Sequence, residues 1–389
     1  MALEDYKNIV HRCFRCGYCK LTDSYSQFNC PVYNRFRLET CSPGGMMWLI
    51  RAWMENNIEW TESLARILYS CTTCNNCVEH CKFEFSSDIV NIILAAREEM
   101  VENGLVLPRV ARFLRNVEAT GNPYRELPAD RGKWAEATEI SEYQGQEYLY
   151  YVGCVGSYDE RGLEVARALG EVLLEANLSF GILGSKEVCD GNEIKMLGEK
   201  RIFEMLVERN AQTFNDLGVK KIITLSPHSY NAFKHYYPNG FEVFHYTQIL
   251  SHLIKERKLD VSQGFKAKVT YHDSCFLGRH NSEYESPREI LKATPGIELV
   301  EMERNRADAF CCGGGSGNFQ TDFFGGGEYS PGRIRVREAY ETGANILAVA
   351  CPMCMIMLSD AVKSEGLEEK LIVKDISEIV RESLPPSHG

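Results

Sequence analysis

The chain has 389 residues, 44% of them hydrophobic and 25% charged, enough to bury the cores of two or three domains and too apolar for a disordered or collagen-like chain. Lys and Arg number 43 against 54 Asp and Glu, a formal charge of -11, which excludes a nucleic-acid partner because no surplus of cations is left for phosphates. The informative figure is 16 Cys, a count that admits three uses: disulfides, zinc or iron-sulfur clusters.

The first ten residues, MALEDYKNIV, are acidic and lack an apolar h-region, so no secretory signal is visible. Reduced thiols and a cytoplasmic location are expected, which makes disulfides the minor reading. Nine of the cysteines fall between Cys13 and Cys81, in a segment whose patterns, TESLARILYS and DIVNIILAAREEM, are helical. Cys13-x2-Cys16-x2-Cys19 and Cys71-x2-Cys74-x2-Cys77 are triplets at three-residue spacing, which lets one short loop supply three thiolates to a cube. A zinc site prefers two separated pairs. In two-cluster ferredoxins the last Cys of each motif ligates the other cluster. That exchange assigns Cys13, Cys16, Cys19 and Cys81 to cubane 1, and Cys71, Cys74, Cys77 and Cys30 to cubane 2. Cys41 reads as an ordinary buried thiol, and His80 is left outside the ligand set.

Residues 121–147 (GNPYRELPADRGKW and beyond) are polar and turn-rich and read as a linker. Beyond them the chain repeats itself. EYLYYVGC, RGLEVARALGEVLLEA, VCDG, VKKIITL and SPHS in the first copy match KAKVTYHDSC, ESPREILKAT, FCCGGG, ANILAVA and CPMC in the second. Alternating strands and helices predict parallel sheets with crossover helices, and place the cysteines at strand C-termini, where such folds build their sites. The uncharged run from Thr342 to Ser359 holds Asn345, Cys351, Pro352 and Cys354, and reads as a buried strand entering a helix, so no direct transmembrane segment is expected.

The second copy offers Cys275, adjacent Cys311 and Cys312, and the pair Cys351 and Cys354, one thiol more than a cubane or a zinc tetrahedron needs. A cluster with bridging thiolates would use all five. Through YHDSCFLGRH, FCCGGGSGNF and CPMCMIML this pattern resembles the CCG domain of heterodisulfide reductases. The whole chain is similar to the HdrD type, or to a fusion of the HdrC and HdrB types. The iron-sulfur subunits of glycolate and lactate oxidation and of class II benzoyl-CoA reductase complexes are further relatives. The resemblance implies one noncubane 4Fe-4S cluster on the five C-terminal thiols beside two cubane 4Fe-4S clusters. It also implies flavin- or ferredoxin-linked redox subunits of a larger anaerobic complex as partners. Without the other three thiols, Cys351-Pro-Met-Cys354 would read as a thioredoxin-type pair at a helix N-terminus. Gly313 to Gly315 suit close backbone approach to cluster sulfides better than a dinucleotide loop. His272 reads as structural, and Arg333, Arg335 and Arg337 as a solvated or partner-facing surface.

At matching positions the first copy keeps only Cys154 and Cys189, with Asp190, Ser226 and Ser229 replacing the other thiols. No cluster is expected there, the runner-up being a mononuclear metal on Cys154, Cys189, Asp190 and His228. The resembled enzymes cleave a disulfide with two noncubane clusters, so a single one favours electron relay over independent catalysis, with no catalytic residue assigned. The alternative is a disulfide or thiol reductase acting at the noncubane cluster, and a third reading is a zinc scaffold. The expected fold is α+β and multidomain. An all-α two-cluster ferredoxin-like domain at 1–120 and a linker at 121–147 precede a degenerate CCG α/β domain at 148–265 and an intact one at 266–389.

Overall fold

A computed structural model describes residues 2–136 and 138–386. The N-terminal part is helical, with Pro43–Met54, Glu62–Tyr69, Asp88–Glu102 and Pro108–Thr120 as its longer helices. Local chemistry explains their limits. Ser42 and Thr61 accept hydrogen bonds from the Gly45 and Leu64 amides at the N-caps, and Gly121 closes the last helix in a left-handed conformation. Between the helices, residues 11–30 and 71–74 are largely irregular, and six of the nine N-terminal thiols lie there.

Two four-stranded parallel sheets follow. The first comprises β1 (Tyr148–Tyr151), β2 (Phe180–Gly181), β3 (Lys221–Thr224) and β4 (Glu242–His245) in the order β2-β1-β3-β4. The second, β5 (Ala267–Tyr271), β6 (Ile297–Leu299), β7 (Ile346–Val349) and β8 (Ile372–Asp375), has the order β6-β5-β7-β8, the same topology. Leu149 pairs with Ile222 in one copy and Val269 with Ile346 in the other, so the strand-order reversal falls between β1 and β3 and between β5 and β7. The crevice outside the carboxyl ends of these strands is where an open α/β sheet binds its ligand. Cys154 follows β1, Cys275 follows β5, and Cys351 follows β7.

The apolar run at 342–359 folds as expected, β7 entering the helix Pro352–Glu365. Among the described residues no helix is long and apolar enough to cross a membrane. The two sheets share one hydrophobic core, running from Tyr150 and Val165 to Leu347 and Val380. Arg161 reaches across from the first copy to both carboxylate oxygens of Glu378, and Tyr246 Oη donates to Asp375 Oδ1 at 2.7 Å. A second core joins the N-terminal helices to cysteine loops of both copies, taking in Cys154, Cys189, Cys275, Phe276 and Cys311. These four thiols of the α/β part therefore pack towards the helical part.

Residues 121–147 pack more closely than a linker should. Trp134 and Arg131 are buried, Trp134 against Tyr150 and within the shared core. The polar composition misled because Arg131 meets a buried carboxylate, Glu187, far away in sequence. The reading of Arg333, Arg335 and Arg337 as one surface also fails. The segment is a helix, Pro331–Glu341, on which alternate residues do not share a face, and Arg335 is fully buried while Arg333 and Arg337 both pair with Glu365.

Candidate metal centres

Cys13, Cys16, Cys19 and Cys81 line one hollow together with Gly17, Pro43, Gly44 and Met47. Gly17 has φ +90°, which turns the chain between Cys16 and Cys19, and a Cβ on Gly44 would stand 3.6 Å from the Arg15 Cα. Trp48 Nε1 donates to the Cys13 carbonyl at 2.6 Å, and the Arg15 guanidinium lies over the Trp48 ring. Cys30 lies in the electrostatic field of Cys74 and Cys71, and Cys77 in that of Cys71, Cys19, Cys74 and Cys30, so the second set of four is also gathered, with Cys19 and Cys77 between the two sets. The Thr73 amide donates to Cys71 Sγ at 3.4 Å. Cys41 is buried and belongs to neither group, and His80 faces Asp308 at 3.2 Å. Burial is the largest influence on Cys13, Cys19, Cys30, Cys71, Cys77 and Cys81 and raises all six thiols above the ordinary range. Such a donor set suits a soft cation that displaces protons, since thiolates are the form that binds iron.

The third group is denser. Cys312 Sγ lies 3.4 Å from Cys354 Sγ, and one ligand atom each of His272, Cys312 and Cys354 falls within 4.8 Å of the others. Cys311 is in hydrogen-bonding reach of Cys275, Cys312 and, across the domain contact, Cys74. The Gly313 amide donates to Cys311 Sγ at 3.3 Å, with Gly313 at φ +94° completing the turn. Cys351 caps the helix Pro352–Glu365, its Sγ accepting from the Cys354 amide at 3.5 Å. Burial pushes Cys351 up, yet hydrogen bonds from Cys354 and His228 leave it well below the ordinary thiol range. Five thiols on three loops thus converge at the strand-order reversal of the second sheet, and the donor set fits an iron-sulfur cluster.

His272 is held neutral, at about 3, first by burial and then by Arg335, whose Nε donates to His272 Nδ1 at 3.1 Å. Sequence patterns concealed this partner. They concealed the partners of His228 as well. It belongs to the first copy, but its ring lies tilted 4.2 Å from the Phe276 ring, its Nδ1 meets Glu193 Oε1 at 2.6 Å, and it reaches Cys351 of the second copy. Despite burial, Glu193 and Cys351 raise this imidazole well above the ordinary histidine range.

The mononuclear set considered for the first copy is consequently not assembled. His228 faces Glu193 and Cys351, while the Asp190 carboxylate is taken by Ser229 Oγ at 2.8 Å and the Asn192 amide at 2.7 Å. Cys154 and Cys189 remain together, in mutual hydrogen-bonding reach. Arg131 Nη2 donates to Cys154 Sγ at 3.0 Å.

The loop of the second cysteine triplet is clamped by the second α/β copy. Arg279 Nε donates to the Cys74 carbonyl at 2.6 Å, and the His280 ring, held neutral by burial, contacts the Thr73 carbonyl at 2.7 Å. Arg97, fully buried, donates to the carbonyls of Leu68, Cys71 and Met196 and to Ser316 Oγ, joining all three parts of the chain. One signal for Arg97 was present in the sequence, a charge on the apolar stripe of Ile89, Ile93, Ala96 and Met100.

Thiol triplets on a helical domain, packed on a duplicated α/β unit with a Cys-Cys-Gly loop, define an iron-sulfur protein of the cysteine-rich-domain class. Residues 9–85 match the 4Fe-4S dicluster domain, and residues 148–234 and 269–359 match the Cysteine-rich domain, CCG. The chain belongs to the HdrD family of heterodisulfide reductase iron-sulfur proteins. It is 31% identical over 329 residues to the HdrD polypeptide of the dihydromethanophenazine:CoB--CoM heterodisulfide reductase of Methanosarcina barkeri, covering 82% of this chain and 78% of that one. It is also 36% identical to a probable iron-sulfur-binding oxidoreductase, FadF, of Bacillus subtilis, over 82% of this chain and 46% of the relative. With the EtfAB:quinone oxidoreductase of Syntrophomonas wolfei it shares 35% identity, over 84% of this chain and 48% of the relative. The chain spans about half the length of these last two proteins.

Proposed function

We propose that the chain is an iron-sulfur electron-relay subunit of a multi-subunit oxidoreductase, built as a helical two-cluster domain, a packed connector and two CCG domains. Cubane 1 would be held by Cys13, Cys16, Cys19 and Cys81, cubane 2 by Cys71, Cys74, Cys77 and Cys30, and a noncubane cluster by Cys275, Cys311, Cys312, Cys351 and Cys354. Bound clusters supply one-electron chemistry at potentials tuned by hydrogen bonds and exposure. The residues supply order and insulation. Cys16 is exposed while the C-terminal thiols are buried, which supports traffic that begins at the surface beside cubane 1 and ends within the protein.

The observation that carries the reading is a series of thiols each within electrostatic range of the next. Cys19 lies near Cys30 and Cys77, and Cys74 lies within hydrogen-bonding reach of Cys311, so no stretch of bulk protein separates the three groups. The relatives' names support oxidoreductase chemistry, and flavin- or ferredoxin-linked subunits are partners that suit a one-electron wire. Anoxic co-purification with a tagged chain tests the reading. A stable complex containing a flavin- or ferredoxin-type subunit is expected, whereas a solitary chain that turns over a disulfide substrate overturns the relay in favour of catalysis at the C-terminal thiols.

A further inference from the structure

The first α/β copy keeps two thiols at the carboxyl end of its sheet, and their surroundings are those of a reactive pair. Cys154 lies in the short helix Gly153–Tyr158 after β1, and Cys189 in the Cys189-Asp190-Gly191 turn, where the Gly191 amide donates to Cys189 Sγ at 3.4 Å. This turn reproduces the one at Cys311 and Gly313.

Arg131 points the same way. Its side chain is 2% exposed, its Nη1 is paired with Glu187 Oε1 at 2.5 Å, and its Nη2 is aimed at Cys154 Sγ at 3.0 Å. Glu187 is fixed in turn by the amides of Val152 and Gly153, at 3.1 and 2.9 Å. A neutral packing thiol gains little from a buried guanidinium, whose desolvation only charged or strongly polar partners offset. A thiolate gains a charge-assisted hydrogen bond. Cys41, by contrast, has no cation beside it in its hydrogen-bonding or electrostatic surroundings. Both thiols line a hollow with Asp190, Pro352 and Met353, and the last two residues are those between Cys351 and Cys354.

We infer that Cys154 and Cys189 are a redox-active dithiol, a two-electron site that exchanges electrons with the iron-sulfur centre on Cys351 and Cys354. The inference rests on the relay reading for its electron acceptor. On oxidation the Cys154 thiolate and the Cys189 thiol form one S–S bond. The Cys189 proton is released to solvent, and the two electrons leave singly to oxidised iron-sulfur clusters of the same chain. Reduction runs the same atoms and electrons backwards. A place built for a second cluster thereby becomes a converter between one-electron and two-electron chemistry.

The test uses anoxically purified, fully loaded protein poised with redox mediators from reducing to oxidising potential, then denatured, alkylated and digested. A Cys154–Cys189 disulfide peptide is expected at the oxidising end and two alkylated cysteines at the reducing end. Coulometric titration should take up two more electrons per chain in the wild type than in Cys189→Ser or Cys154→Ser at equal iron content. Alkylation of both cysteines at every potential, or a disulfide formed by a chemical thiol oxidant but never through the clusters, overturns the inference. Iron, sulfide and cluster spectra of the same samples report separately on the relay. With full clusters and no disulfide, only the dithiol fails, whereas missing clusters fail the relay itself.

Discussion

The Thr72 hydroxyl lies 3.7 Å from Cys311 Sγ, so the loop of the second cysteine triplet touches the Cys-Cys-Gly loop of the second α/β copy side chain to side chain. The same contact is tight in the backbone, where a Cβ on Gly315 would stand 2.6 Å from the Thr72 carbonyl oxygen. The glycines after Cys312 were expected to make room for sulfide. Gly315 instead makes room for the neighbouring domain, while the left-handed Gly313 serves the turn at the thiols.

Gly315→Ala is accordingly expected to push the two loops apart, because the atom met is backbone and cannot rotate away. Overpacking of this kind costs about 1–3 kcal/mol. Thermal unfolding should report that loss, and hydrogen exchange should locate it at residues 71–74. Unchanged protection there would contradict the contact.

Arg97 makes the second prediction. Its removal in Arg97→Met strands the carbonyls of Leu68, Cys71 and Met196, each unmade buried bond costing about 1–3 kcal/mol. Iron should be lost from the Cys71, Cys74, Cys77 and Cys30 set before the Cys13 set, as followed by iron release to a chelator. Arg97→Lys should fail to restore retention, since an ammonium cannot serve diverging carbonyls as the planar fork does.

Asp375 gives a pH dependence of folding stability. Burial raises its carboxyl to about 7, and although Oδ1 accepts from Tyr246 and Ser377, Oδ2 has no partner. The folded-state value lies above the unfolded one near 3.9, so the folded protein holds the extra proton and stability falls as pH rises from about 4 to about 7. Asp375→Asn, still able to cap the helix that follows, should raise the unfolding temperature at about pH 8.5 and change it little at about pH 4. Equal effects at both pH values would show that the aspartate is not held protonated.

Removing iron should act locally. Residues 11–30 and 71–74 have little regular structure to hold them without the metal, whereas β1 to β8 share a continuous apolar core. Hydrogen exchange after oxidative iron removal is expected to rise sharply in the cysteine loops and stay low in the strands, and uniform exposure would refute this division.

Much of this architecture was legible in the residues. Three-residue cysteine spacing and the long-period repeat led to the helical domain and the paired sheets, because metal spacing and strand-helix alternation are local patterns. What escaped was non-local. Arg131 with Cys154, His228 with Cys351, and Arg335 with His272 join segments 23 to 123 positions apart, and no periodicity announces such meetings. Arg335 was misjudged because alternate spacing was read as a face in a stretch that is helical, and Arg131 because a polar segment was equated with a solvated one.

Whether one chain holds three clusters is decided by iron and acid-labile sulfide analysis of the anoxically purified protein. Three clusters require about twelve irons with matching sulfide, falling by about four when Cys311 and Cys312 are both replaced by serine. About eight irons in the wild type, or zinc in place of iron, would contradict the three-cluster relay.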